Sequence, residues 1–211
     1  MTDAVHRHWR RGAGFLMALI FLGGCSIASP PVHFYTLSAM TPAAGEKRIS
    51  PLRVVVGPIR VPGYLDRPQM VVRSAENQIR IVEYHRWADS PADSISLELA
   101  ENLGVLLHSD HVYIHNLEAA PPPDYQVLIH LRRFEGGPDA RVRLEAYWTI
   151  RVPGRPQLAR RGKTVAEEAI RGKAQGDQVY PAMVDALSRG VKTLSREIAA
   201  AMMTMQKAAG S

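Results

Sequence analysis

Apolar residues repeat with two different periods along this chain. Tyr125, Val127, Ile129, Leu131 and Phe134 alternate with more polar positions, and Val142, Leu144, Ala146, Trp148 and Ile150 do so again. A period of two predicts strands with one covered face. Glu135-Gly136-Gly137-Pro138-Asp139 supplies a turn between the runs, and Pro153-Gly154-Arg155-Pro156 supplies a second one ahead of a third strand over 158–168. Together they predict an antiparallel meander. Upstream, 52–59 is rich in valine and mostly apolar, which predicts a strand buried on both faces. The segments 70–73 and 78–82 flank Ser74-Ala75-Glu76-Asn77 as a hairpin, while 32–37 and 112–114 read as short strands.

Elsewhere the period changes to that of a helix. Ile95, Leu99, Leu103 and Leu106 recur at spacings of three and four behind a marked start: Ser90 to cap, Pro91 at the first helical position, and Asp93 near the positive end. Val179, Met183, Leu187, Val191, Leu194, Ile198 and Met202 form a longer stripe over 179–203, with Pro181 near its start and Gly190 a mild weakness within it. Residues 41–50 and the proline-rich 119–124 read as loops, and no internal repeat is visible. The elements predict a single α/β (α+β) domain. Two amphipathic helices pack on a mostly antiparallel or mixed sheet of seven or eight strands.

The first 25 residues follow a different logic. His6, Arg7, His8, Arg10 and Arg11 precede an apolar run from Gly12 to Leu22, and Leu22-Gly23-Gly24-Cys25 follows directly. The run is too short to span a bilayer, which needs about 20 residues, but it fits the apolar part of a secretory signal. Leu-Gly-Gly-Cys has the form of a lipobox, so cleavage before Cys25 and lipidation of its sulfur are expected. An ordinary buried thiol, or cleavage at another small residue, are the plainer alternatives. Residues 1–24 are assigned as the signal peptide, 25–31 as a lipidated tether, 32–205 as the domain and 206–211 as a tail. Cys25 is the sole cysteine, so an exported chain has no intramolecular disulfide and its core must hold the fold alone. Residues 1–24 carry three arginines and one aspartate, so their loss lowers the formal net charge from +6 to +4. That excess is modest and dispersed, compatible with an ordinary surface, anionic headgroups or an acidic partner.

Candidate chemistry is sparse. His108, His111 and His115 are close in sequence, but they fall on a helix end and around a strand, where their rings are expected to diverge. Glu167 and Glu168 stand beside Arg160, Arg161 and Lys163 and read as a charged strand face. There is no Gly-x-Ser-x-Gly elbow and no glycine-rich phosphate loop. Arg132, Arg133, Arg141, Arg143, Arg151 and Arg155 alternate with apolar residues as the wet face of a sheet does, so nucleic acid is not an expected partner. No catalytic or metal-binding residue is assigned, and the protein is not expected to be an enzyme.

One segment goes beyond patterning: Val61-Pro62-Gly63-Tyr64-Leu65-Asp66-Arg67-Pro68-Gln69-Met70-Val71-Val72-Arg73. It resembles the Tyr-Leu-Asp-Arg-Pro-Gln stretch of the PqiC family, the ABC-type transport auxiliary lipoproteins. Phe34-Tyr35-Thr36-Leu37, Val54-Val55-Val56-Gly57-Pro58, Trp87-Ala88-Asp89 and Leu99-Ala100-Glu101-Asn102-Leu103 fit in the same order. The proline loop at 119–124 and the Met-rich tail depart from the family. The resemblance implies a non-catalytic subunit of an intermembrane lipid transport system, supporting envelope integrity. It would partner an MCE-domain transport protein and outer-membrane lipid, as a homo-oligomer. It also implies N-acyl and S-diacylglycerol lipid on Cys25 and no other cofactor. Ser26 after the cysteine implies the outer membrane, with the domain facing the periplasm.

By the same resemblance Tyr64, Leu65, Asp66, Arg67, Pro68 and Gln69 are candidate partner-binding residues. Proline at 62 and 68 stiffens the segment, and Tyr64 offers an aromatic face with a polar tip. The segment can equally serve to hold a strand–loop–strand geometry, with Asp66 accepting backbone N–H groups. A lipid- or ligand-binding lipoprotein acting alone, or an outer-membrane assembly factor, is the alternative function.

Overall fold

The computed structural model describes residues 29–45, 47–115, 122–172 and 176–209. In it β1 (His33–Tyr35), β2 (Val54–Arg60), β3 (Gln69–Ala75) and β4 (Gln78–Trp87) precede α1 (Pro91–Leu106), and β5 (Val112–Ile114), β6 (Tyr125–Gly136), β7 (Arg141–Arg151) and β8 (Arg160–Ala169) precede α2 (Val179–Ala209). Residues 32–211 make up one compact unit. The expected cleavage and lipidation sites at residues 22–26 lie outside the described residues, as do residues 119–121 of the expected proline loop.

All eight strands join one mixed sheet organised on β6. Along one edge β6 pairs antiparallel with β7, and β7 with β8, giving the expected meander. Its other edge is shared. The first half of β6 runs parallel to β2, from Val54 against Tyr125 to Arg60 against His130, and Gly136 at its end meets Val72 of β3, also in parallel. β2 carries β5 beyond it, and β3 carries β4 and then β1. A single long strand thus supports two separate branches. Register shifts within β2 and within β6 accommodate the divergence.

The helices cover one face. α1 packs on β2 and β5, α2 on β7 and β8, and the two helices pack on each other. Ser90 caps α1 as its position predicts: its Oγ accepts from the Asp93 N–H at 3.1 Å. Ile95, Leu99 and Leu103 are buried beneath α1, while Leu106 is only partly covered. Under α2 every expected stripe position from Met183 to Met202 is buried, each large side chain contributing about 1.5–3 kcal/mol by leaving water. Val142, Leu144, Ala146, Trp148 and Ile150 of β7 form the opposing layer. α2 runs on to Ala209, beyond the expected end at 203, because Gln206, Lys207, Ala208 and Ala209 are good helix formers.

Several polar groups within this core are paired. Asn102 of α1 donates to Ser195 Oγ of α2 at 3.1 Å and accepts from the Met40 N–H at 2.7 Å, and Ser188 Oγ accepts from the Ser38 N–H at 3.0 Å. The segment after β1 is therefore stitched to both helices by partly buried hydrogen bonds.

Candidate functional site

The segment singled out by sequence connects β2 to β3. Its bend is closed by the Pro62 carbonyl, which accepts from the Leu65 N–H at 2.9 Å and the Asp66 N–H at 3.1 Å. Arg67 N–H donates to the Leu65 carbonyl at 2.9 Å, and Trp87 N–H donates to the Pro68 carbonyl at 2.7 Å, tying the loop to the end of β4. Both prolines, which have no N–H to offer, thus serve through their carbonyl groups. These bonds correct one expectation, since backbone carbonyls and not the Asp66 carboxylate accept the N–H groups of this bend.

The side chains divide by direction. Leu65 is buried in the core, and Tyr64 is half-buried and packs against it. Asp66 and Pro68 are exposed, and Arg67 and Gln69 are partly covered. Arg67 Nε is buried with no hydrogen-bond partner among the described residues. Gln69 Nε2 is 3.5 Å from Glu83 Oε2, at the limit of a hydrogen bond.

Tyr64 anchors the loop from below. Its hydroxyl donates to Glu135 Oε2 at 2.7 Å and lies 3.2 Å from the Arg132 carbonyl oxygen. The second carboxylate oxygen of Glu135 accepts from Arg73 Nε at 2.5 Å, and Arg73 Nη1 donates onward to the Glu76 carbonyl at 2.8 Å. Glu135 is only 2% exposed, so its charge would be costly without these partners. Burial, with the hydrogen bond to Glu135 next, pushes the Tyr64 phenol up to about 12, and the same carboxylate raises Arg73. With both oxygens occupied and Tyr64 kept as a phenol, the trio locks the β2–β3 loop to the point where β3 meets β6.

Sequence reasoning missed Arg73 and Glu135 as functional partners. Glu135 was expected in the turn after β6, yet β6 continues through Gly136 and carries Glu135 into the interior. The shift in register between Leu131 and Arg133 puts Phe134, paired with Leu144, on the face of Leu131 and turns Glu135, paired with Arg143, to the opposite face, where Tyr64 and Arg73 meet it. An acid directly after an alternating apolar run was the one signal available.

The remaining candidates are dispersed. His108 follows α1 at positive φ, His111 Nδ1 lies 3.3 Å from the Tyr113 hydroxyl, and His115 N–H donates to the Val56 carbonyl at 2.8 Å. Among the described residues no group of three histidine, cysteine or acidic side chains could hold a metal ion. Glu167 and Glu168 are charged strand residues, but their partners are Arg143 at 3.1 Å and Arg189 at 3.2 Å, not the neighbouring Arg160, Arg161 and Lys163. Lys163 pairs instead with Glu145 at 2.9 Å. No helix among the described residues is long and apolar enough to cross a membrane.

Two solved structures share this fold. A crystal structure of a protein from Xanthomonas campestris superposes with a TM-score of 0.65 at 14% identity, covering 85% of this chain and 100% of its own. A second crystal structure, of an uncharacterized protein, superposes with a TM-score of 0.63 at 20% identity, covering 82% of this chain and 99% of its own. At these identities the likeness establishes the fold alone. A search among curated proteins found no match. The family model described as the ABC-type transport auxiliary lipoprotein component matches residues 35–199, from the end of β1 to deep within α2 and across the whole Tyr64–Gln69 segment. The chain belongs to this family of ABC-type transport auxiliary lipoproteins.

Proposed function

We propose that the protein is the PqiC-type outer-membrane lipoprotein of an MCE-type intermembrane lipid transport system, and that Tyr64–Gln69 presents its contact to the MCE-domain partner. In this reading Cys25 carries N-acyl and S-diacylglycerol lipid, three chains that exceed the two-signal minimum for stable anchoring. Ser26 directs the protein to the outer membrane. The domain faces the periplasm as a homo-oligomer and serves the transporter without catalysis, supporting envelope integrity.

The observation that carries the partner site is the loop's division of labour. Tyr64 and Leu65 hold it down, the Pro68 carbonyl ties it to Trp87, and Asp66 and Pro68 remain exposed. A stiff loop with an exposed charge loses little freedom on docking. The test is recovery of the full lipidated chain from detergent-solubilised envelopes, with identification of co-purifying chains. Recovery of an MCE-domain protein, lost in Asp66→Ala with Pro68→Ala, supports the reading. Repeated failure to recover one with intact lipoprotein overturns it.

A further inference from the structure

We propose that the open cleft beside the last turns of α2 binds an anionic amphiphile, with its acyl chain in the apolar slot and its head on Arg155 and Arg160. This site is separate from the Tyr64 loop and does not rest on the transporter reading.

The cleft holds about 690 Å³, within the range of small-molecule sites of roughly 300–1,000 Å³. Leu52, Tyr125, Val152, Leu158 and Met205 supply most of its apolar wall. Leu52 and Tyr125 are buried and continuous with the core, whereas Leu158 is 45% exposed on the short 3-10 turn Pro156–Leu158. An apolar slot that opens from the core to a partly exposed leucine suits an acyl chain entering from solvent.

The charge around the slot selects the head. Asp124 is the acid in the lining, and Arg53 already engages it: Nη2 donates to Oδ1 at 2.9 Å, while Nε at 3.3 Å and the backbone N–H at 2.9 Å donate to Oδ2. Arg155 and Arg160 also line the cleft, are exposed, and take part in none of the ion pairs among the described residues. Lys207 stands in the last turn of α2 and offsets the negative end of its dipole. Two guanidinium groups without carboxylates therefore border an apolar slot, and guanidinium binds phosphate or carboxylate through paired N–H donors. A bare phosphate would leave the slot empty, and a zwitterionic head would bring a cation near the arginines.

The test uses the full chain in a neutral detergent, titrated with dioctanoyl phosphatidylglycerol, dioctanoyl phosphatidylcholine and inorganic phosphate, with binding read by native mass spectrometry. The expected result is a one-to-one adduct with phosphatidylglycerol, about tenfold tighter than phosphatidylcholine, as one or two charge-assisted hydrogen bonds provide. Arg155→Gln with Arg160→Gln should bring that ratio close to one. Leu158→Asn should weaken both lipids several-fold and keep the ratio. All three positions are exposed, and an unchanged thermal midpoint checks that the variants fold. Equal binding of the two lipids overturns the proposal, as does phosphate binding as tightly as phosphatidylglycerol. A change of oligomer mass in the cleft variants without a change in lipid binding also overturns it, by making the cleft an interface between copies.

Discussion

The hydroxyl of Tyr64 and the carboxylate of Glu135 meet at 2.7 Å although 71 residues separate them. This bond joins the family segment to the strand that organises the sheet, and it satisfies a carboxylate almost wholly removed from water. Tyr64→Phe leaves one Glu135 oxygen without its donor and should cost about 1–3 kcal/mol in chemical denaturation. Glu135→Gln should cost a similar amount, since with its oxygen toward Arg73 its Nε2 cannot accept from the Tyr64 hydroxyl. The double variant should cost less than the two combined, since both remove one shared interaction. Additive losses would contradict the coupling.

The exposed half of the same loop should behave in the opposite way. Asp66→Ala and Pro68→Ala remove side chains that face solvent, so each should alter stability by no more than about 0.5 kcal/mol. If the proposed function holds, recovery of an MCE-domain protein should nevertheless fall. A large loss of stability in Asp66→Ala would show that the aspartate holds the fold.

Glu98 in α1 gives a pH dependence of unusual sign. It is 5% exposed, and one carboxylate oxygen has no hydrogen-bond partner among the described residues. Burial pushes it from an ordinary 4.5 up to about 7, against the opposing pull of Lys192. Between those values the folded state holds a proton that the unfolded chain releases. Stability should therefore fall as pH rises through this window and stay lower above it. Glu98→Gln should remove this decline and be more stable at pH 8 by about 2 kcal/mol. Thermal unfolding of both proteins from pH 4 to 8 checks this, and parallel curves would refute it.

Gly162 of β8 lies under the Trp148 ring, and a Cβ there would overlap Trp148 Cζ2. The ring is also held by its Nε1–H, which donates to Thr164 Oγ1 at 3.1 Å. Gly162→Ala should displace the indole, cost about 1–3 kcal/mol and shift its fluorescence. An unchanged spectrum would show that the ring keeps its place and the backbone of β8 shifts instead.

Cys25→Ser should abolish incorporation of labelled fatty acid and release the protein from the membrane fraction. Ser26→Asp should leave it lipidated and move it to the inner membrane. Membrane fractionation reads both outcomes.

The legible parts of the fold were those set by local periodicity. The β6–β8 meander, the β3–β4 hairpin, the Ser90 cap and the buried stripe of α2 all follow from neighbours in sequence. The choice of β2 and β3 as parallel partners of β6 was not legible, because such strands meet only after a long crossover that leaves no turn between them. The candidate site was legible by half. The segment was found by resemblance, but its inward anchor was not, since Arg73 and Glu135 read as an ordinary strand residue and a turn residue.

The sequence by itself determined which faces of the strands and helices are apolar, where α1 begins, and the family segment, because these depend on side-chain order along a few residues. Only the tertiary structure decided that one strand supports two branches of sheet. It alone buried Glu135 and matched it with Tyr64 and Arg73, and it left two arginines beside an apolar cleft. Those outcomes depend on contacts between distant segments, and on the cost of burying charge, which arises only once the chain has closed around it.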